Sequence, residues 1–134
     1  MTTYLLDANV LIALTVAEHE HHVRASAWAA GITRFAVSPV VEGALVRFLV
    51  RIGERPEVAQ QVLRAVHALP GCEFWPDSQS YADSDLGHVH GHRQVTAAYL
   101  VSLAAGRLDA MLATLDEGLA RSRPDRTVLL ADNS

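Results

Sequence analysis

Cysteine is almost missing from this chain, and lysine is missing altogether. Cys72 is the single cysteine among 134 residues, so no intramolecular disulfide can form and a zinc site built on several thiolates is excluded. We expect a protein of the reducing cytoplasm. All eleven basic residues are arginine. The absence of lysine disfavours phosphoacceptor chemistry at Asp7, because such sites commonly use a lysine.

Long apolar runs are also lacking. The longest, residues 10–17, is interrupted by Thr15 and is far shorter than the roughly 20 residues that span a bilayer as a helix. The first apolar stretch contains Asp7 and has no arginine before it, unlike a secretory signal peptide. We therefore expect no membrane partner.

Positive charge is in deficit. Fifteen acidic residues outnumber eleven arginines, for a formal net charge of −4, which argues against nucleic-acid binding through bulk positive charge. Any nucleic-acid contact must be local. The length suits one domain, residues 1–134, with a hydrophobic core of its own.

Strand and helix patterns alternate along the chain. Short apolar runs predict strands at residues 3–7, 34–37, 72–75, 110–115 and 127–131. Helical spacing, with proline at starts and glycine at stops, predicts helices at 9–14, 19–30, 39–52, 56–69 and 97–105, and a short one ending near 121. This alternation predicts an α/β fold: a three-layer α/β/α sandwich around a mainly parallel sheet of about five strands.

Three acids fall where ligands bind in such folds, beyond the carboxyl ends of the strands. Asp7 and Asp116 each follow a predicted strand, and Glu42 lies in the first turn of a helix that follows another. Carboxylates gathered without basic neighbours need a cation, and oxygen ligands suit Mg²⁺ or Mn²⁺. Phosphodiester hydrolysis would follow from such a site. Taken singly, each acid is better explained by helix capping or the helix dipole, and the functional case needs all three together.

Four segments together resemble the PIN-domain ribonuclease toxins of bacterial type II toxin–antitoxin modules. They are residues 5–14 (LLDANVLIAL), 38–47 (SPVVEGALVR), 92–100 (HRQVT and AYL around position 97) and 112–116 (LATLD). The resemblance implies a Mg²⁺- or Mn²⁺-dependent endoribonuclease that cuts transfer or ribosomal RNA. It also implies inhibition by a cognate antitoxin, and assembly as a homodimer and a toxin–antitoxin hetero-oligomer.

The same resemblance assigns site residues. Asp7, Glu42 and Asp116 correspond to acids of the family's metal site. The residues predicted to contact RNA or support the site are Asn9, Arg47, Arg93 and Thr96.

Position 97 departs from the family pattern. Ala97 stands between Thr96 and the Ala98-Tyr99-Leu100 stretch, where the resemblance places a further metal-binding aspartate. Alanine has no ligand oxygen, so we predict a chain with impaired catalysis. Either the ancestor lost activity, or the residue was changed to silence a toxin; we favour the second because the surrounding motif is intact. The alternative function is a naturally non-catalytic PIN module that binds antitoxin or RNA.

The alternating histidines 88, 90 and 92 would share one face of a strand and could bind a transition metal. The glycines at 87 and 91 favour a loop instead. Catalytic zinc is not expected there.

Overall fold

Five short strands lie side by side in one sheet. The computed structural model describes residues 1–131; residues 132–134 of the predicted domain lie outside this range. The strands are β1 (Thr3–Leu6), β2 (Phe35–Val37), β3 (Cys72–Phe74), β4 (Ala110–Thr114) and β5 (Thr127–Leu129). All neighbours pair in parallel, in the order β3-β2-β1-β4-β5.

Six helices connect the strands and cover the sheet. They are α1 (Ala8–Thr15), α2 (His22–Ala30), α3 (Pro39–Arg51), α4 (Pro56–His67), α5 (Val95–Ala105) and α6 (Glu117–Ser122). Since parallel crossovers are right-handed, α1 to α4 lie on one face and α5 and α6 on the other. Accordingly α1 packs on α2 and α3, whereas α5 packs on β4. The three-layer α/β/α sandwich predicted from the sequence is confirmed.

Strand β1 and helix α5 are mostly apolar because both are buried in the hydrophobic core. Leu5 and Leu6 of β1 are both buried, because helices cover the sheet on both faces. Helix α5 is buried from Ala98 through Ala104. No helix within the described part of the chain is long and apolar enough to cross a bilayer.

Several helix boundaries differ from the sequence prediction. Helix α2 begins at His22 rather than at residue 19, because residues 17–21 form turns in which the His21 N–H donates to His19 Nδ1 at 3.1 Å. Helix α5 begins at Val95, so Thr96 lies inside the helix and does not cap it. Helix α3 ends as predicted before Gly53, whose φ of 99° suits glycine.

Candidate active site

The carboxyl edge of the sheet carries a row of polar residues. Asp7 follows β1, Ser38 follows β2, Asp77 lies three residues beyond β3, and Asp116 lies two beyond β4. The chain crosses the sheet in one direction from β1 to β3, and in the other direction from β4 to β5. Such a reversal, here between β1 and β4, opens a crevice at the carboxyl ends of the strands. Asp7 and Asp116 flank it.

Asp7 is a buried carboxylate held at both oxygens. Oδ1 accepts from the Ala8 N–H at 2.8 Å and so caps α1, and Oδ2 accepts from Thr114 Oγ1 at 2.7 Å. Burial raises the pKa of Asp7; the bonds from Thr114 and Ala8 oppose this shift, and the charge of Asp116 adds to it. An ionised Asp7 is therefore costly without a cation nearby.

Thr114 joins Asp7 to Asp116. Its Oγ1 donates to Asp7 and accepts from the Asp116 N–H at 3.0 Å. Asn9 closes the network: Nδ2 donates to Thr114 Oγ1 at 3.4 Å, and Oδ1 accepts from the Leu115 N–H at 3.1 Å. Asn9 thus ties α1 to the turn that carries Asp116.

Asp116 caps α6 and lines a cavity. Its Oδ1 accepts from the Leu119 N–H at 3.1 Å. The cavity, of about 200 Å³, lies between the first turn of α5 and α6 and is also lined by Ala97 and Arg93. Ala97, the position at which the family resemblance predicts an aspartate, therefore lines the same cavity as Asp116.

Glu42 makes its contact away from Asp7 and Asp116. Its Oε2 lies 2.5 Å from Nε2 of His67, at the end of α4. Asp77 lies close enough for the charge of Glu42 to act on it: burial raises the pKa of Asp77, a hydrogen bond from the Val40 N–H lowers it, and Glu42 raises it. The edge thus carries two pairs of acids, Asp7 with Asp116 and Glu42 with Asp77. Within residues 1–131, no three His, Cys, Asp or Glu side chains are grouped as a metal ion requires.

Ser38 supplies an unsatisfied hydroxyl beside Asp7. The register pairs Leu5 with Ala36, and its continuation sets Asp7 next to Ser38. Ser38 is fully buried, and its side chain makes no capping hydrogen bond to α3. Its Oγ has no hydrogen-bond partner among the described residues. Such a group usually marks a bound water or ion. Its hydroxyl oxygen and the carboxylates of Asp7 and Asp116 are of the ligand type that a hard cation prefers.

The remaining predicted residues, Arg47, Arg93 and Thr96, are all exposed. Arg47 is exposed, and its Nη1 lies 3.4 Å from where a Cβ on Gly43 would be, so the glycine leaves room for the guanidinium. Arg93 is exposed at the cavity, and Thr96 is exposed on α5. His88 and His90 lie in a loop, as predicted, and line the cavity.

Three residues at this edge were not predicted as site residues. Asp77 could have been found by the rule that picked out Asp7, since it also follows a strand. Ser38 occupies the N-cap position of α3, but its side chain makes no capping hydrogen bond, so its place before a helix did not distinguish it from an ordinary cap. No local pattern signals His67, because it meets Glu42 only through the packing of α3 on α4.

The parallel sheet between two layers of helices, with acids at its carboxyl edge, defines an α/β/α domain whose candidate site lies at that edge. The family model described as "PIN domain" matches residues 4–123. The chain is 53% identical over 129 residues to Ribonuclease VapC29 of Mycobacterium tuberculosis, covering 96% of each chain. It is 37% identical to Ribonuclease VapC39 of the same species, covering 90% of this chain and 93% of the other. The chain belongs to the PIN domain family and, within it, to the VapC ribonucleases, which confirms the resemblance seen in the sequence.

Solved structures support the same fold. The VapBC2 crystal structure from Rickettsia felis, bound to a promoter DNA fragment, matches with a TM-score of 0.58 at 17% identity, covering 90% of this chain and 92% of the other. The PIN domain endonuclease Utp24 matches with a TM-score of 0.50 at 14% identity, covering 97% and 86%. At these identities the likeness concerns the fold alone.

Proposed function

We propose that this chain is the VapC toxin of a type II toxin–antitoxin module, an Mg²⁺- or Mn²⁺-dependent endoribonuclease whose catalysis is impaired by Ala97. The observation that carries the proposal is the shared cavity of Ala97 and Asp116. An aspartate at position 97 would add its carboxylate to that of Asp116, beside Asp7. In the present chain this position offers only a methyl group.

Each residue of the edge has a role in this proposal. Asp7 and Asp116 would hold the cation. Glu42 would become a further ligand once its contact with His67 is broken. Thr114 and Asn9 keep Asp7 and the β4–α6 turn in place. The cation would polarise a phosphoryl oxygen and activate water. Arg93 and Arg47 are the exposed cations available to RNA phosphates.

The partners follow from the family. The chain's relatives are named ribonucleases, and the Rickettsia structure is described as a VapBC2 complex. We propose a cognate antitoxin, a cytoplasmic location, a homodimer that joins a hetero-oligomer with the antitoxin, and transfer or ribosomal RNA as substrate. Sequence-specific RNA recognition favours exposed single-stranded loops of such RNAs.

The test compares the purified chain with its Ala97→Asp and Ala97→Asn variants on structured RNA, with Mn²⁺ or with EDTA. We expect cleavage by Ala97→Asp in Mn²⁺ only, faster than by the present chain by at least about 10- to 100-fold, since even supporting residues of metal sites have effects of that size. The Asn variant fills the same space without the charge and should stay near the present chain. If Ala97→Asp left RNA intact while the present chain cleaved it, the assignment of position 97 would be wrong.

The second candidate is a non-catalytic module that binds antitoxin or RNA, and Ala97 is again the feature that favours it. It would be supported if neither the present chain nor Ala97→Asp cleaved RNA while both bound it.

A further inference from the structure

The cavity beside Ala97 has a lining unlike that of a cation site. It lies between α5 and α6 and is referred to below as the α5–α6 cavity; the residues that matter here are His88, His90, Arg93, Ala97, Asp116 and Arg123. Its volume is about 200 Å³, whereas one water needs only about 10–15 Å³ on this kind of measure. The volume is therefore large enough for a tetrahedral anion.

The charges at the α5–α6 cavity favour an anion. Asp116 is the one acidic residue of its lining, and Arg93 and Arg123 are the two basic ones apart from histidine. Arg123 shares its charge with Asp85 at 3.6 Å and Asp125 at 3.7 Å, two exposed acids that do not line the cavity. Arg93 has no carboxylate within ion-pair distance among residues 1–131. Its donors are therefore available to a ligand, and a guanidinium fork matches the oxygens of a phosphate.

The residue at position 97 sets how many carboxylates face Arg93. With alanine, the charged residues of the lining are Asp116, Arg93 and Arg123, and Asp85 and Asp125 share the charge of Arg123. An aspartate at position 97 would place a second carboxylate in the lining, an arrangement that repels phosphate unless a divalent cation intervenes. We propose that alanine at position 97 turns the α5–α6 cavity into a metal-independent site for a phosphate group, with Arg93 as its principal ligand. The inference goes beyond the proposed nuclease activity and does not depend on cleavage.

The test measures binding to the full chain in EDTA by isothermal titration calorimetry and by ¹H–¹⁵N NMR shifts. The probes are inorganic phosphate, a short RNA with a 5′-phosphate, and the same RNA with a 5′-hydroxyl. We expect binding of phosphate with shifts at residues around 93 and 97. Ala97→Asp should weaken it by about tenfold or more, as like charges do when brought together, and Ala97→Asn should weaken it less. Arg93→Ala should abolish it, whereas Arg121→Ala, a loss of charge on α6 beside Glu117, should not.

The RNA arms identify the source of the phosphate. Tighter binding of the 5′-phosphorylated RNA than of the 5′-hydroxyl RNA assigns the site to a terminal phosphate, equal binding of both assigns it to the backbone, and binding of inorganic phosphate alone assigns it to the free ion. The inference is overturned if phosphate binds Ala97→Asp equally well in EDTA, if Arg93→Ala has no effect, or if binding requires Mg²⁺. These outcomes are independent of RNA cleavage by Ala97→Asp, so either proposal can fail alone.

Discussion

Thr114 Oγ1 donates a hydrogen bond of 2.7 Å to Asp7 Oδ2, joining the ends of the two central strands β1 and β4. The same oxygen accepts from the Asp116 N–H at 3.0 Å. One hydroxyl therefore positions both acids that flank the crevice. It also replaces part of the solvation that Asp7 loses on burial.

Replacing Thr114 by valine should destabilise the protein. Thr114→Val keeps the shape of the side chain but leaves Asp7 Oδ2 without its donor and the Asp116 N–H without an acceptor. We expect a loss of about 1–3 kcal/mol in the free energy of unfolding, the usual cost of an unsatisfied buried polar group. Urea unfolding measures it. Thr3→Val is the matched control, because Thr3 is also a buried strand threonine but has no side-chain hydrogen bond among residues 1–131; equal effects of the two substitutions would contradict the role of Thr114.

The raised pKa of Asp7 gives stability a defined dependence on pH. Burial, the largest cause, favours the protonated form in the folded protein. The contribution of Asp7 is therefore most favourable below its unfolded pKa of about 3.9 and is lost as pH rises through the higher folded value, at about 1.4 kcal/mol per pKa unit. In the metal-free protein, Asp7→Asn should raise the melting temperature at pH 7, with a gain that shrinks towards pH 3.

The control for this profile is Asp83→Asn, which makes the same charge change at an exposed position. A gain in melting temperature at pH 7 that appears in Asp7→Asn and not in Asp83→Asn is then due to the burial of Asp7. A destabilised Asp7→Asn protein at pH 7 would show that the hydrogen bonds to the carboxylate outweigh the cost of burying it.

The sequence predicts those residues of the carboxyl edge that directly follow an apolar strand. Apolar strands punctuated by glycine and proline predict the α/β sandwich, and Asp7 and Asp116 follow from their place after two of those strands. The relation of Glu42 to His67 could not be predicted, because it depends on how α3 packs on α4 and on a side-chain rotation that no periodicity encodes. Asp77 was missed for a different reason: it lies two residues beyond the strand predicted at 72–75 rather than directly at its end, in a polar stretch whose secondary structure was ambiguous.

The stability of a Ser38→Ala variant tests whether the carboxyl edge of the sheet binds a cation. In the metal-free protein its buried hydroxyl is unsatisfied, so Ser38→Ala should stabilise the fold by about 0.5–1 kcal/mol. Ser102→Ala is the matched control: the Ser102 hydroxyl accepts from the Asp85 N–H at 2.9 Å, and its loss should destabilise. If Ser38 serves a bound cation, the gain should vanish when Mn²⁺ is added to Ala97→Asp protein. A Ser38→Ala protein that is less stable without metal would mean that the hydroxyl is already satisfied.

His67 determines where the carboxylate of Glu42 lies. The contact of 2.5 Å ties Glu42 to α4, so a metal ion that recruits Glu42 must first break it. Since a single hydrogen bond is worth about 0.5–1.5 kcal/mol net, His67→Ala in the Ala97→Asp background should tighten Mn²⁺ binding by about 2- to 10-fold, measured by calorimetry. His67→Gln retains a donor for Glu42 and should leave the affinity near that of Ala97→Asp alone. If His67→Ala weakened Mn²⁺ binding instead, His67 would be a support that aims Glu42 at the metal rather than a competitor for it.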